Sequence, residues 1–401
     1  MKILFISYHY WPPHFGGELK ISIERFESLV KRGHQVTVLT SGVPGLPARE
    51  TQNGIEIRRS PIWHDSRLGR GCRRLLFPVW AQTQIKSMDF DLIHYGGMGG
   101  ISPLHNYLGM ARLNRLADRK GVKKVLVHSL ADSETEALST RGSQARWRNR
   151  TLRQMDGIVS VSPALQEGVQ RLFPHTARMI LYGVHEDIFV PLSDSERAEI
   201  RNRNEVQNGE VVFSFLGSVG RRKGFDLLIE AFLALAEQFP HWHLWIVGPK
   251  TREESQNIDD CEIDELIRPL SDHAHRVQFW GRVDDRKDLA GILGASDVFI
   301  FPSRKEGMGI APMEAMSTGI PVIISRIPGV TDLVSLEGKT GYYIPVNDAD
   351  ALKTAMITLA EQPDLRAEMG KAARQRIVDR FGWEKHVSEW ETFYSSLLHS
   401  K

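Results

Sequence analysis

The 401-residue sequence is poor in cysteine and has no long uninterrupted hydrophobic run. Its two cysteines, Cys72 and Cys261, lie far apart, so they offer neither a disulfide framework nor a Cys-x-x-Cys metal knuckle, which suits a reducing cytoplasm. No stretch approaches the roughly 18 apolar residues of a membrane-spanning helix. The apolar run in MKILFIS has only the length of a strand and no small-residue cleavage pattern, so it predicts a strand and not a signal peptide.

The chain also lacks a large net charge, since its formal net charge is only +2. This total conceals an asymmetry: residues 1–188 hold 26 Lys and Arg against 16 Asp and Glu (+10), and the remainder holds 25 against 33 (−8). A basic half indicates an anionic partner, namely a phosphorylated substrate, a membrane surface or nucleic acid, but solvated helix faces with a chance imbalance explain it equally well. Because no nucleic-acid-binding module is recognisable, we expect no nucleic-acid partner.

What the sequence does contain is a regular alternation of short apolar runs and helical stretches. The runs are continuous, which indicates strands covered on both faces and therefore parallel sheets with crossover helices. At this length two domains are expected, and two series of six runs predict two doubly wound α/β domains. The runs span residues 2–7, 35–40, 91–95, 123–129, 157–162 and 178–182, and then 211–218, 243–248, 276–281, 297–303, 321–325 and 341–345.

The polar stretch 191–210 separates the two series and is the expected boundary between the domains. In open parallel sheets, ligands bind beyond the carboxyl ends of the strands. The candidate functional residues are therefore those that directly follow the apolar runs. They are Gly16, Gly17, His128, residues 217–224, Gly248, Gly281 and the segment from Glu306 onward.

The segment FPSRKEGMGIAPMEAM, residues 301–316, combines two glutamates with a glycine loop and a predicted helix start. Gly309 allows the backbone to approach a ligand closely, and Pro312 fits the first helical turn, where no N–H is required. The free N–H groups of such a helix start form a ready site for a phosphate or diphosphate. On spacing alone, Glu306 and Glu314 either hold two ends of an extended ligand, or are a solvated carboxylate and one that complements the helix dipole.

The pattern E-G-x-G-x-x-x-x-E-A-M-x-x-G-x-P-V-I in this segment resembles the signature of the retaining glycosyltransferases of family 4, the glycosyl transferases group 1. Further segments resemble the same family in the right order: YWPPHFGGELKISIERFESLVKRGHQVTVLT, DGIVSVSPAL, RKGFDLLIEAF and GRVDDRKDLAGILGASDVFIFPS. The similarity spans about residues 1–385. It implies the GT-B fold, in which two Rossmann-like domains face each other across a cleft. The implied domains are an acceptor-binding domain (1–188), a nucleotide-sugar-binding domain (189–382) and a C-terminal helix (383–401) that packs back on the first domain.

Carried over by position, the resemblance implies a nucleoside-diphosphate-sugar site around the two glutamates. Glu306 is expected to bind hydroxyls of the donor sugar, and Glu314 is expected to bind the nucleotide ribose. The N–H groups of Met308, Gly309 and Ile310 are expected to meet the diphosphate and the sugar. This division is chemically sound, because a carboxylate accepts hydrogen bonds from a ribose diol and a leaving diphosphate needs donors and positive charge.

The family lysine that neutralises the departing diphosphate matches Lys223 in GRRKG, a segment that by itself is more typical of a solvated basic turn. We expect no metal, because no Asp-x-Asp motif before an acidic cluster indicates a Mg²⁺ site, and no cofactor, because the nucleotide sugar is a substrate. The sequence departs from the family nearby, since Ser218, after Gly217, stands where an arginine is usual. Arg222, or else Arg221, is expected to supply the second positive charge.

Five further residues complete the predicted site. By resemblance, Gly16 and Gly17 would bring backbone of the N-terminal domain against the donor phosphates. Gly248 and Gly281, which follow predicted strands, are expected to bind the donor. His128 would act as a catalytic residue near the donor sugar.

Three positions are weaker or differ from the family. Asp132 is a weaker candidate for an acceptor contact. The family sequence Asn-Gly-Val-Asp at the domain junction reads YGVH here, ending at His185, and Gly-Gly-x-x-Glu reads PGVTD, with Asp332 in place of the glutamate. Neither departure removes a residue assigned to catalysis.

Two basic segments with apolar neighbours, residues 66–80 and 141–153, predict contact with an anionic membrane surface. Ordinary amphipathic helices with exposed arginines explain them as well. Because many members of the family act on lipid-linked acceptors, we expect a cytoplasmic protein that docks peripherally on the inner face of the membrane.

The resemblance thus predicts a metal-independent, retaining, hexosyltransferase-type enzyme. It would move a sugar from a nucleoside-diphosphate sugar to a hydroxyl acceptor, lipid-linked or a glycan intermediate, in bacterial surface polysaccharide synthesis. Two alternatives remain at this point, a sugar-nucleotide epimerase of the same architecture and a non-enzymatic two-domain sugar-binding protein. No residue specifies the base, the sugar, the acceptor or the oligomeric state.

Overall fold

The chain divides into two compact units. The first comprises Met1–Leu181 and Glu384–Lys401, and the second comprises Tyr182–Trp383. The first unit is therefore assembled from two separate stretches of sequence, and its first stretch ends before the boundary after residue 188 that the sequence predicts. The computed structural model describes residues 1–8, 10, 17–61, 67–96, 103–128, 149–150, 152–174, 177–250 and 263–399.

The described part of the first unit contains one sheet of eight strands. They are β1 (Lys2–Ile6), β2 (Gln35–Thr40), β3 (Arg49–Gln52), β4 (Ile55–Arg59), β5 (Leu92–Tyr95), β6 (Lys123–His128), β7 (Gly157–Ser160) and β8 (Ala177–Met179). Their order is β3-β4-β2-β1-β5-β6-β7-β8, and every neighbouring pair is parallel except β3–β4. Because the chain builds outward from β1 in both directions, the sheet is doubly wound, as the sequence predicts.

The antiparallel β3–β4 hairpin corrects the prediction of purely parallel sheets. Its two-residue turn is Asn53-Gly54, with φ of 49° and 80°, the positive values that a type I′ turn requires. Glycine is also needed for space, because a Cβ on Gly54 would lie 2.6 Å from Cγ1 of Val30. The strand β3 is an exposed edge strand and has no hydrophobic run. The sequence signal for the hairpin is therefore the Asn-Gly pair.

The helices of the first unit cover the sheet. In its described part they are α1 (Gly17–Lys31), α2 (Arg67–Lys86), α3 (Pro103–Arg119) and α4 (Pro163–Leu172). The first helix begins with Glu18 in its first turn and ends with Lys31 in its last, which complements the helix dipole at both ends. Its apolar face, including Phe26 and Leu29, is fully buried.

The second unit contains a sheet of six parallel strands in its described part. They are β9 (Val211–Leu216), β10 (Trp242–Val247), β11 (Val277–Gly281), β12 (Val298–Phe301), β13 (Val322–Ser325) and β14 (Gly341–Ile344). Their order, β11-β10-β9-β12-β13-β14, is the 3-2-1-4-5-6 order of a dinucleotide-binding sheet. The predicted second doubly wound domain is therefore confirmed.

The sheet of the second unit is covered by α5 (Asp194–Arg203), α6 (Phe225–Ala236), α7 (Ile263–Ile267), α8 (Arg286–Ala295), α9 (Ile310–Ser317), α10 (Thr331–Val334), α11 (Ala349–Glu361) and α12 (Pro363–Phe381). Short 3-10 helices occupy Arg221–Lys223 and Arg268–His273. The strands between them are buried, with side chains such as Phe213, Leu244 and Ile300 fully enclosed.

The polar stretch 191–210 is not a linker, which corrects the prediction from composition. A capping box formed by Ser193 and Glu196 begins α5, and the helix buries none of its own residues. Instead, Arg197 donates to the carbonyl oxygens of Gly294 and Ser296 at 2.7 and 2.8 Å, where α8 ends. Arg201 pairs with Asp297 at 2.9 Å, directly before β12. The helix is polar because charged contacts attach it to the second unit.

The last helix, α13 (Trp383–His399), belongs to the first unit from Glu384 onward. At its outer edge, Arg32 pairs with Glu384 and Glu391, each at 2.6 Å. At its buried face, Trp390 stacks on the ring of His94, and the hydroxyl of Tyr394 hydrogen-bonds to Nδ1 of that histidine. Complete burial, together with the nearby charge of Arg25, holds the pKa of His94 well below its usual value. None of the described helices has the length and apolar character needed to cross a membrane.

Candidate active site

The strand order of the second unit creates a crevice where β9 and β12 lie side by side. These strands pair directly. The chain continues from β9 to β10 on one side of this pair and from β12 to β13 on the other side. Ligands of doubly wound sheets bind at this switch point, beyond the carboxyl ends of the strands. The loop 217–224 follows β9, and the loop 302–309 follows β12.

The predicted residues Lys223 and Glu306 meet between these two loops. The ammonium Nζ of Lys223 donates to Oε1 of Glu306 at 2.6 Å, although the residues are 83 positions apart in the sequence. Their side chains are only 18% and 9% exposed. The same ammonium lies 5.3 Å from the ring centroid of Phe301, within range of a cation–π interaction. An ammonium has three donors, so this contact leaves capacity for a ligand anion.

Gly224 sets the approach of the two loops. Its φ of +67° lies in the left-handed region, where it ends the 3-10 helix Arg221–Lys223 and caps α6. A Cβ at this position would lie 2.0 Å from the carbonyl oxygen of Pro302. Only glycine fits both the backbone angle and the space, so it brings Lys223 against the loop of Glu306.

The predicted glycines at the ends of β9, β10 and β11 form a continuous edge. The N–H of Gly217 donates to the carbonyl of Val247 at 3.0 Å, and the N–H of Gly248 donates to the carbonyl of Gly281 at 2.9 Å. A Cβ on Gly248 would lie 2.2 Å from the carbonyl oxygen of Gly217. Ser218, half-buried, follows directly. The absence of a side chain on Gly248 therefore lets the backbones at the ends of these strands pack closely against each other.

The arginines of the loop 217–224 are connected to the loop 302–309. Arg221 is 59% exposed and reaches Asp226 at 3.3 Å, and Arg222 donates to the carbonyl oxygen of Lys305 at 3.4 Å. The N–H of Arg304 in turn donates to the carbonyl oxygen of Arg222 at 2.9 Å. Both candidate arginines therefore lie in the loop that follows β9, and their predicted role stays a prediction.

Arg304 was missed by the sequence analysis and is the clamp between the loops. Its guanidinium makes a bidentate pair with Asp226 at 2.6 and 2.9 Å and also donates to the carbonyl oxygen of Arg221. Burial raises the pKa of Asp226, but the hydrogen bond and charge of Arg304 outweigh that effect and lower it. No local pattern distinguishes this arginine, because Arg221 and Asp226 lie 83 and 78 positions away in the sequence.

The predicted helix start is present at α9. Gly309, with φ of +87°, caps a helix whose first residue is Ile310, and its Cβ would lie 3.3 Å from the ring of Phe301. Met308 is buried and its sulfur accepts from the N–H of Tyr182 at 3.2 Å. At such a helix start the first N–H groups have no partner within the helix, and the dipole favours an anion.

Glu314 is the fifth residue of α9 and is buried. The alternative that it complements the helix dipole is wrong, because that effect is confined to the first turn. Its Oε1 instead pairs with Nη1 of Arg286, the first residue of α8. The sequence analysis missed Arg286. The signal that could have found it is a cation at a helix N-terminus, where the dipole disfavours positive charge.

The candidates in the first unit are described only in part. Gly17 is the exposed first residue of α1, and His128 is the last residue of β6, at the carboxyl end of the sheet. Gly16, Asp132 and the side chain of His128 lie outside the described residues. Their predicted roles stay predictions.

The basic segments are also described in part. Residues 67–80 lie in α2, in which Leu76 and Val79 are exposed, at 43% and 39%. The side chains before Leu76 and most of the segment 141–153 lie outside the described residues.

Two further positions that depart from the family pattern lie in the second unit. His185 stacks on Trp383 with ring centroids 4.0 Å apart, and Asp332 lies in α10. Among the described side chains no group of three or more His, Cys, Asp or Glu could hold a metal ion.

Comparison with protein families gives two matches that follow each other along the chain. The family described as glycosyl transferases group 1 matches residues 196–376, and the glycosyl transferase 4-like domain matches residues 24–183. An uncharacterized glycosyltransferase from Methanocaldococcus jannaschii is 26% identical over 98% of both chains. A GDP-mannose-dependent α-(1-6)-phosphatidylinositol monomannoside mannosyltransferase from Mycolicibacterium smegmatis is 27% identical over 93% of both chains.

The fold matches solved structures of the GT-B class. Sucrose-phosphate synthase from Thermosynechococcus elongatus aligns over 100% of both chains with a TM-score of 0.82, at 22% sequence identity. At this identity the likeness shows a shared fold. The expected GT-B fold is confirmed, with one parallel-sheet domain in each of the two units.

Proposed function

The chain belongs to the glycosyl transferases group 1 family and is a glycosyltransferase, and from this premise we propose that it moves a sugar from a nucleoside-diphosphate sugar to a hydroxyl acceptor with retention of the anomeric configuration. The observation that carries the proposal is the contact of Lys223 with Glu306 at the switch point of the second sheet. A cation at this point suits the anionic diphosphate of such a donor, and a carboxylate suits the hydroxyl groups of its sugar, which can donate hydrogen bonds.

In the proposed complex the donor extends along the edge formed by the strand ends. The diphosphate lies at the N-terminus of α9, where the N–H groups of Met308, Gly309 and Ile310 and the ammonium of Lys223 donate to its oxygens. Glu306 accepts from hydroxyls of the sugar, and Glu314 accepts from the ribose. Arg222 adds the positive charge that the family pattern would place at Ser218.

The barrier in this reaction is the departure of the diphosphate from an oxocarbenium-like centre. Lys223, the neighbouring arginine and the amides of α9 stabilise the charge that develops on the leaving group. Same-face attack, in which a leaving phosphate oxygen takes the proton of the acceptor hydroxyl, gives retention without a carboxylate nucleophile. The group positions and charges in this scheme need no metal ion, and activity in excess EDTA equal to that in Mg²⁺ is the expected result.

For the acceptor we propose a lipid-linked or glycan intermediate reached from the cytoplasmic face of a membrane. Two things support this proposal: the excess of positive charge in residues 1–188 and the exposed apolar side chains of Leu76 and Val79 on α2. A basic surface with apolar side chains binds anionic lipid and releases it at high salt. Pelleting with phosphatidylglycerol vesicles at low and high salt tests the membrane contact, and absence of binding at low salt would reject it.

The donor proposal is tested by a thermal-shift panel of uridine, guanosine and adenosine diphosphates and their sugars, followed by transfer assays with the stabilising donor. We expect Lys223→Ala to lower kcat by about a hundredfold to a thousandfold, the loss typical of one missing oxyanion donor. Lys339→Ala, at an exposed lysine, is the charge-matched control. Stabilisation by no nucleotide would reject the proposal. Interconversion of the nucleotide sugar without an acceptor would indicate an epimerase, and sugar binding without nucleotide affinity would indicate a binding protein.

A further inference from the structure

We propose that Arg286 is a positioning residue that fixes the carboxylate of Glu314, and that the resulting site selects ribose against deoxyribose in the nucleotide. The inference rests on the proposed function, which places the nucleotide ribose on Glu314. It adds a residue that the sequence analysis did not assign to the site, and it gives that residue a measurable effect on ligand choice.

The contact between the two residues is a nearly buried ion pair. Nη1 of Arg286 donates to Oε1 of Glu314, and the two side chains are 15% and 7% exposed. A charge buried to this degree is strongly disfavoured unless a partner compensates it. Without the guanidinium, Glu314 would take up a proton or turn toward solvent, and either change would remove a fixed acceptor.

The stability of α8 does not account for an arginine at position 286. Arg286 is the first residue of this helix, where the helix dipole favours negative charge. The helix start is already satisfied, because the carboxylate of Asp285 accepts from the N–H groups of Lys287 and Asp288 at 2.7 and 3.0 Å. The favourable contact of Arg286 therefore lies outside its own helix, with the carboxylate of Glu314.

The ring of Phe189 also contacts the guanidinium of Arg286. Cζ of Arg286 lies 5.6 Å from the ring centroid of Phe189, which is fully buried. The carbonyl oxygen of Phe189 accepts from Oγ of Ser317 and from Nη1 of Arg374, both at 2.8 Å. Because Ser317 is the last residue of α9, Phe189 is attached to the same helix that carries Glu314. The ring, the carboxylate and the start of α8 together leave the guanidinium little freedom.

A fixed carboxylate discriminates more sharply than a mobile one. A carboxylate held by Arg286 presents its oxygens in set directions, and each ribose hydroxyl must match them to donate. A nucleotide that lacks one of these hydroxyls loses the corresponding hydrogen bond to a charged acceptor, which is how polar sites reject analogues. A mobile or protonated Glu314 would lose this penalty and accept both nucleotides.

The test compares binding of a nucleoside diphosphate with its 2′-deoxy and 3′-deoxy forms by calorimetry, using the base that binds the unaltered protein best. We expect the protein to prefer the ribonucleotide over at least one deoxy form by about tenfold to a hundredfold, the range for a lost hydrogen bond to a charged group. Arg286→Gln should reduce this ratio to near one, mainly by weakening ribonucleotide binding, and Glu314→Gln should have the same effect. The double variant should add nothing further, and Arg286→Lys should restore part of the ratio.

Lys287→Gln is the matched control, since it removes one positive charge from the neighbouring exposed position on α8. It should keep the ratio of the unaltered protein. Because the ratio compares two ligands on one variant, a general loss of stability does not change it. A ratio unchanged in Arg286→Gln would overturn the inference, as would equal loss of ribonucleotide and deoxynucleotide binding. If the unaltered protein binds no nucleoside diphosphate, the proposed function itself fails, and if it binds all three forms equally, only this inference fails.

Discussion

Replacement of Gly224 by alanine should separate the geometry of the active site from the stability of the fold. Gly224 has φ of +67°, and its added Cβ would lie 2.0 Å from the carbonyl oxygen of Pro302. The substitution therefore acts on a point of close backbone approach between the loop of Lys223 and the loop of Glu306. Its effect has a conformational part and a steric part, and these can be estimated separately.

The left-handed backbone angle costs an alanine about 1–2 kcal/mol. Carbon and carbonyl oxygen approach no closer than about 3.3 Å, so the two loops must move apart by roughly 1.3 Å, which adds about 1–3 kcal/mol of overpacking strain. The total loss of stability is thus about 2–5 kcal/mol. A displacement of about 1 Å at a catalytic group reduces rate by about a hundredfold, because the reacting groups no longer align. We expect kcat/KM for sugar transfer to fall by this factor.

Gly209→Ala provides the control for the backbone angle. Gly209 has φ of +88° in the same unit, but nothing lies within 4 Å of its added Cβ. It should lose about 1–2 kcal/mol of stability and keep full transfer activity. Urea unfolding followed by tryptophan fluorescence and steady-state transfer kinetics measure the two quantities on both variants. The reasoning is refuted if Gly224→Ala transfers sugar at the normal rate, or if Gly209→Ala loses activity to the same extent.

Three further predictions follow from the contacts described above. Arg304→Gln should lower kcat/KM in transfer assays, because it releases Asp226 and the loop of Lys223, while its unfolding midpoint changes little. An unchanged kcat/KM would show that Arg304 does not hold Lys223 in its active position. Since the pKa of His94 is lowered on folding, the unfolded chain binds a proton that the folded chain does not, so stability decreases as pH falls below 6.5. Between pH 7.5 and 5.5 this histidine should remove about 1.4 kcal/mol from the free energy of unfolding, and His94→Asn should flatten the pH dependence by that amount in urea titrations at the two pH values. Lys223→Ala should weaken binding of a nucleoside diphosphate more than binding of the nucleoside, measured by calorimetry, and equal weakening would contradict a contact with phosphate.

The parts of the fold that were predictable are those that hydrophobic burial dictates. The continuous apolar runs at residues 35–40 and 211–216 became buried strands because a doubly wound sheet covers both of its faces. The strand β3 was missed because it is an exposed edge strand, and β4 was missed because its buried residues alternate with partly exposed charged ones instead of forming a continuous apolar run. The stretch 191–210 was misjudged because composition reports polarity and not the partners that satisfy it.

The candidate site was likewise predictable only in part. Lys223 and Glu306 could each be placed after a strand, but their contact depends on β9 lying next to β12, which only the complete sheet determines. Arg304 was not predictable, because its guanidinium reaches partners far away in the sequence. Arg286 could have been noticed as a cation at a helix start, but its partner lies 28 positions away. Backbone features were easier to infer, since a glycine at a strand end or a helix start usually provides a positive φ or room for a close approach.

The discontinuous first unit sets an order of events during synthesis. Its sheet is complete once Met179 has been made, yet the helix that covers His94 and Arg25 follows some 200 residues later, after the whole of Tyr182–Trp383. At about 5–20 residues per second, that surface waits on the order of ten to forty seconds on the ribosome for Trp390 and Tyr394. The inserted second unit has every strand of its own sheet in one stretch and can form first. A nascent chain that stops short of α13 would therefore carry a complete second unit and a first unit whose surface around His94 and Arg25 is still uncovered.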